Sequence, residues 1–126
     1  MQVPIRHALS PGKRLAGGQN LLDLMRVGQL ELYPVEEERY PCFSLARQAL
    51  AHAGGAPNIL NAANEVAVGY FLAGKIGFLD IPKLVAKALG AAELAQWVAS
   101  EAGTVEEVLE LDATTRRLVQ FWVKED

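Results

Sequence analysis

The chain has 126 residues, 51% hydrophobic and 21% charged, with a net charge of −3 at neutral pH. A chain of this size buries roughly two-thirds of the surface its unfolded form exposes, enough for one domain with a core. The acidic runs Glu36-Glu37-Glu38 and Glu106-Glu107, with no basic stripe to displace counterions from phosphates, speak against a nucleic-acid partner.

No apolar run approaches the roughly 20 residues needed to span a bilayer. Residues 60–72 are interrupted by Asn61, Asn64 and Glu65 and read as a helix in water. The amino terminus lacks the charged segment, apolar stretch and cleavage site of a signal peptide. Cys42 is the only cysteine, so no intrachain disulfide can form. A cytoplasmic protein with no membrane partner is expected.

In chain order, residues 1–20 carry a short apolar stretch, Val3-Pro4-Ile5 with Ala8-Leu9, then Pro11-Gly12 and Gly17-Gly18. Pro4 suits a first helical turn, where its missing N–H costs nothing, and Pro11-Gly12 stops that helix. About ten residues of helix cannot bury themselves, so this zone reads as cut from a larger body. Its apolar side, Ile5 and Leu9, is either left exposed or docked on the rest of the chain.

Residues 21–40 read as an irregular linker. Leu21-Leu22 with Leu24-Met25 suggests a helical turn ended by Gly28. Leu30-Glu31-Leu32-Tyr33 alternates weakly, as an extended segment would, and Pro34 closes it. The acidic run that follows is a solvated connector.

Residues 41–126 read as helical throughout, in four segments separated by Gly or Pro. The first spans about 41–53 and ends at Gly54-Gly55. The second follows Pro57 and ends near Gly74. Asp80 is a candidate N-cap for the third, which Ile81-Pro82 opens. The last starts at Thr104-Val105-Glu106-Glu107, the S/T-x-x-E spacing of a capping box. Its apolar stripe is expected to use Val105, Val108, Leu109, Leu118, Val119 and Trp122. Residues 91–99 extend the third helix or form a short extra one. The fold class is mainly α: a four-helix-bundle-like carboxy-terminal domain after a short helix and a linker.

Few residues carry chemistry. Gly69-x4-Gly74-Lys75 nearly matches the phosphate loop G-x-x-x-x-G-K-S/T, but Ile76 removes the hydroxyl that should hold Mg²⁺. Gly74 as a helix stop, with Lys75 near the negative helix end, explains the same residues. Asn61, Asn64 and Glu65, at i, i+3 and i+4, share a helix face. Asn is a mediocre helix former and costly when buried alone, so this face wants a hydrogen-bonding neighbour. With one carboxylate it is a poor cation site, and it reads as a polar seam.

Asp112 and Arg116 stand at i, i+4 as a structural ion pair. His7 and His52 have no metal-ligand spacing, and Cys42, among Pro41, Phe43 and Leu45, reads as a small buried side chain. No nucleophile–base set and no G-x-G-x-x-G loop can be proposed. Read from the residues alone, the chain has no catalytic, cofactor-binding or metal site.

The stretch Leu60-Asn61-Ala62-Ala63-Asn64-Glu65-Val66-Ala67-Val68 continues through Phe71-Leu72 to Lys75-Ile76-Gly77-Phe78-Leu79-Asp80-Ile81. It resembles the 1-deoxy-D-xylulose 5-phosphate reductoisomerase family, whose L-N-A-A-N-E helix is followed by a G-K/R-I-x-F-x-D-I turn. Glu38-Arg39-Tyr40-Pro41-Cys42 resembles the family's D-x-x-R-F/Y-P-C stretch. Residues 1–9 are similar to its M-R-x-P-I-x-x-A-L segment, and residues 112–116 to its D-x-x-x-R. The matches occur in family order over essentially the whole chain. Two departures stand out: Pro11-Gly12 where the family has Trp-Pro, and Gln2 where it has Arg.

The resemblance implies that residues 1–20 are the tail of a catalytic domain, 21–40 a linker and 41–126 a carboxy-terminal helical bundle. Its parent enzyme rearranges 1-deoxy-D-xylulose 5-phosphate and reduces the product to 2-C-methyl-D-erythritol 4-phosphate, in isoprenoid precursor synthesis. NADPH supplies hydride and Mg²⁺ or Mn²⁺ polarises the substrate oxygens. The nucleotide loop, metal-binding acids and phosphate-binding residues belong to earlier segments of the family enzyme, so this fragment alone is expected to be inactive. Met1 matches a methionine lining the substrate pocket. Asn61, Asn64 and Glu65 are expected to dock on the NADPH-binding and catalytic domains of the same chain, within a homodimeric parent. The competing reading is a free-standing, non-enzymatic interaction module using the same polar face.

Overall fold

A computed structural model describes residues 2–10, 12–13, 23–98, 100 and 103–125. Met1, the stop at Pro11, the Gly17-Gly18 pair and the Leu21-Leu22 turn lie outside the described residues. The chain divides into two units, Met1–Pro34 and Val35–Asp126.

In the first unit, α1 spans Gln2–Leu9 with Pro4 near its start, where the ring clashes with no preceding turn. The Ser10 hydroxyl donates back to the Arg6 carbonyl at 2.8 Å. Ile5 and Leu9 are exposed. The single turn α2, Leu24–Val27, is capped by the Asp23 carboxylate, which accepts from the Met25 and Arg26 N–H groups. Gly28 closes it at φ 71°. Residues 29–34 take no regular structure. The extended segment expected at residues 30–33 pairs with no strand among the described residues, and Leu30, Leu32 and Tyr33 are all exposed. Weak alternation does not make a strand without a partner ladder and a core to face.

In the second unit, α3 spans Pro41–His52, α4 Ala56–Leu72 and α5 Asp80–Leu89. A 3₁₀ turn, Ala92–Leu94, leads into the short α6, Ala95–Val98, and α7 spans Val105–Glu125. Local chemistry sets most boundaries. Gly74 at φ 69° follows α4; its N–H reaches the Phe71 carbonyl and the Lys75 N–H reaches Tyr70, both at 2.9 Å. This is the Schellman pattern, in which a left-handed glycine satisfies carbonyls the helix leaves open. The capping box at α7 forms as expected: Glu107 N–H donates to Thr104 Oγ1 at 3.2 Å, and Thr104 N–H donates to Glu107 Oε2 at 3.1 Å. Residues 91–98 do not extend α5, because Gly90 ends it and the chain turns at Ala91.

Three expectations need correction. Asp80 is the first residue of α5 and not its N-cap; Leu79 holds that position without a side-chain bond. The Asp80 carboxylate instead points back, accepting from Gly77 N–H at 2.9 Å and from Lys83 Nζ at 2.8 Å. The buried stripe of α7 is Leu111, Thr115 and Val119, with Leu118 and Trp122 partly buried; Val105, Val108 and Leu109 are exposed. The first turn of α7 is held by its cap, so its apolar residues need not face the core. Cys42 is exposed, because the start of α3 lies at the rim.

The core forms around α4, which packs against α3, α5 and α7. Ala56, Ile59, Ala62, Ala63, Val66 and Ala67 are its buried residues. The alanines let neighbouring helices approach closely while Ile59 and Val66 fill the remaining space. On α5 the stripe Ile81, Leu84, Val85 and Ala88 follows i, i+3, i+4, i+7 spacing. Leu94, from the 3₁₀ turn, is fully buried and closes the core. By contrast α3 buries only Ala49.

Candidate docking surface

The polar residues singled out on α4 fall on two different flanks. One residue of helix turns the side chain by about 100°, so Asn64 and Glu65 diverge. Glu65 Oε2 accepts from Arg116 Nη2 at 2.6 Å across the α4–α7 contact. Arg116 also donates to Asp112, Nε to Oδ2 at 2.6 Å and Nη2 to Oδ1 at 3.1 Å. The i, i+4 spacing on α7 supplies the forked Asp112 contact, and helix packing adds Glu65. The two carboxylates, Asp112 foremost, hold the Arg116 guanidinium still more firmly protonated than usual. This triad joins α4 to α7.

Asn64 faces the other flank and lines a groove of about 580 Å³ bounded by the start of α3, the middle of α4 and the α4–α5 turn. Tyr40, Phe43, Phe78 and Leu79 line it, as do Cys42 and Arg39. The Arg39 guanidinium sits over the Tyr40 ring at 5.6 Å, and Phe71 meets Phe78 edge to face at 5.6 Å. Asn64 is half-buried and finds no hydrogen-bond partner among the described residues. Asn61 is exposed. Asn61, Asn64 and Glu65 therefore do not form one ridge: Glu65 is engaged by Arg116 and Asn64 opens onto the groove.

Sequence reasoning missed two features. Asn58 Nδ2 donates to the Val108 carbonyl at 3.0 Å, tying the start of α4 to α7; nothing local in the sequence marks that pairing. A smaller cleft of about 370 Å³ gathers Lys75, Lys83 and Lys87 near Val123. There Lys83 pairs with Asp80 at 2.8 Å, Lys75 lies over the Tyr70 ring and Lys87 over the Trp122 ring. Each ammonium is held by this domain, so the cleft is a solvated polar edge.

His52 is exposed at the last turn of α3. No group of three or more His, Cys, Asp or Glu among the described residues could hold a metal ion, so these side chains do not fit the divalent cation the resemblance implies. No helix among them is long and apolar enough to cross a membrane.

Residues 1–118 match the family model described as the DXP reductoisomerase C-terminal domain. The chain belongs to that family. A 1-deoxy-D-xylulose 5-phosphate reductoisomerase from Methylobacillus flagellatus is 45% identical over 123 residues, which cover 97% of this chain and 30% of that protein. One from Laribacter hongkongensis is 43% identical over 117 residues, or 93% of this chain and 29% of that protein. Among solved structures, a DOX-P reductoisomerase in complex with magnesium aligns with a TM-score of 0.84 at 34% identity, covering 98% of this chain and 32% of that one. The Zymomonas mobilis reductoisomerase in complex with NADPH aligns at 0.77 with 33% identity, covering 97% and 31%. The chain thus spans about 30% of the length of the reductoisomerases it matches.

Proposed function

We propose that this chain works as the carboxy-terminal helical part of a 1-deoxy-D-xylulose 5-phosphate reductoisomerase, supporting the catalytic body and turning over nothing alone. The parent reaction is the NADPH-dependent conversion of 1-deoxy-D-xylulose 5-phosphate to 2-C-methyl-D-erythritol 4-phosphate. The observation that carries this reading is the family match across residues 1–118. On this reading NADPH and Mg²⁺ or Mn²⁺ are held by other parts of the enzyme. Residues 1–20 belong to the end of the catalytic domain, residues 21–40 link it to the bundle of residues 41–126, and Met1 borders the substrate pocket. The assembled enzyme is a cytoplasmic homodimer with no membrane or nucleic-acid partner.

Asn61, Asn64 and Glu65 serve as polar contacts around the docking region, and the Asp112–Arg116 pair keeps α7 in register with α4 through Glu65. The test is NADPH oxidation with the sugar phosphate and Mg²⁺. The chain alone should show none. A chimaera carrying this chain in place of the matching 30% of the Methylobacillus relative should turn over. A folded chimaera without activity, or an active isolated chain, overturns the proposal.

A further inference from the structure

The groove beside Asn64 is exposed and mostly apolar. Phe78 and Leu79, in its lining, are 68% and 69% accessible, and Tyr40 and Phe43 are exposed as well. A monomeric domain rarely leaves this many large apolar side chains together at one surface without a contact to make. Three segments that resemble the reductoisomerase family, residues 38–42, 60–68 and 75–81, each contribute side chains to this groove. Burial in this domain accounts for Ala62, Ala63, Val66, Ala67 and Ile81 within those segments. It does not account for Arg39, Tyr40, Asn64, Phe78 or Leu79.

The composition is that of a protein contact. Aromatic residues and Arg are the side chains enriched at the centres of protein interfaces. Among the described residues Arg39 has a ring contact but no ion pair, and half-buried Asn64 has no hydrogen-bond partner. The relatives are more than three times as long as the match, so each carries a large further stretch of protein outside it.

We propose that this groove is the seat of the catalytic body of the reductoisomerase, not a small-molecule pocket. The partner surface would bring apolar side chains against Phe78 and Leu79, an acceptor to Arg39 and a hydrogen-bonding group to Asn64. The proposal rests on the reading given under Proposed function and moves the docking surface from the α4 polar residues as a set to the groove that Asn64 lines.

Cys42 makes the proposal testable, because it is the only cysteine of the chain, is exposed and lines the groove. Alkylation of Cys42, followed at the peptide level by mass spectrometry, is compared between the isolated chain and the chimaera. In the chimaera it should be at least about tenfold slower, since a covered thiol reacts only while the contact is open. Phe78→Glu should restore reactivity and lower turnover in the chimaera, while leaving the helix content of the isolated chain unchanged. An active chimaera in which Cys42 reacts as fast as in the free chain overturns the groove assignment and leaves the functional reading standing. Protection that grows with concentration in the free chain points to a second copy and overturns it too. Should the chimaera fail to fold, the same protection is sought by adding in excess the relative shortened by its final 30%. Absence of protection there counts against the groove.

Discussion

Gly55 donates its N–H to the Trp97 carbonyl at 2.9 Å, and a Cβ placed on Gly55 would lie 2.6 Å from that same oxygen. The same Cβ would come within 2.7 Å of Leu111 Cδ2. The start of α4, the end of α6 and the buried stripe of α7 therefore meet at one residue that has no side chain. Its φ of −80° is ordinary, so space and not backbone freedom requires the glycine. Gly55→Ala should cost about 1–3 kcal/mol through overpacking, read as a lower urea midpoint with unchanged slope. An unshifted midpoint would mean that α6 is not seated as described.

The Glu65–Arg116–Asp112 triad is partly exposed, with Arg116 about one-third accessible, so solvent screens much of its strength. A double-mutant cycle on Glu65→Gln and Arg116→Met should give a coupling of about 0.5–1 kcal/mol, shrinking in high salt. Arg116→Lys should recover only part of it, because an ammonium cannot make the forked contact with Asp112. A coupling of zero at low salt would remove the triad as a link between α4 and α7.

Thr115 is fully buried and its Oγ1 has no hydrogen-bond partner among the described residues. A buried hydroxyl left unpaired costs about 1–3 kcal/mol, and valine has nearly the same shape. Thr115→Val should therefore raise the melting temperature, and Thr115→Ala should lower it by opening a cavity between Leu111 and Val119. A lower melting temperature for Thr115→Val would show that the hydroxyl is satisfied in solution.

The Asp80 carboxyl is held below its ordinary range, first by the Lys83 ammonium and then by the Gly77 N–H. A group with a depressed folded pKa stabilises the fold above its unfolded value, and that contribution is lost as pH falls through the folded value. Stability of the α4–α5 turn should thus decline as the pH drops below about 4. Asp80→Asn should flatten that part of the acid profile. Identical acid limbs for the two proteins would mean the carboxylate is free in solution.

Much of the second unit was legible from residues alone because its signals are local. Gly74 with Lys75, Thr104 with Glu107 and Pro41 at a helix start each act within one turn, and the structure realises all three. Asp80 was misplaced because a carboxylate near a helix start can reach either way along the chain, and Lys83 and Gly77 decided which. The stripe of α7 was shifted because Val108 and Leu109 are as apolar as Leu111; which of them faces α4 depends on a partner helix roughly 50 residues away in the chain.

The site divides along the same line. That Asp112 and Arg116 pair is a property of i, i+4 spacing, and the family resemblance is a property of contiguous residues. Glu65 joining them, Asn64 turning toward the opposite flank, and Cys42 emerging at a groove beside Phe78 were decided only when α3, α5 and α7 packed around α4. Spacing along a helix determines which residues share a turn. Burial of the alanine-rich face of α4 determines what each of them meets.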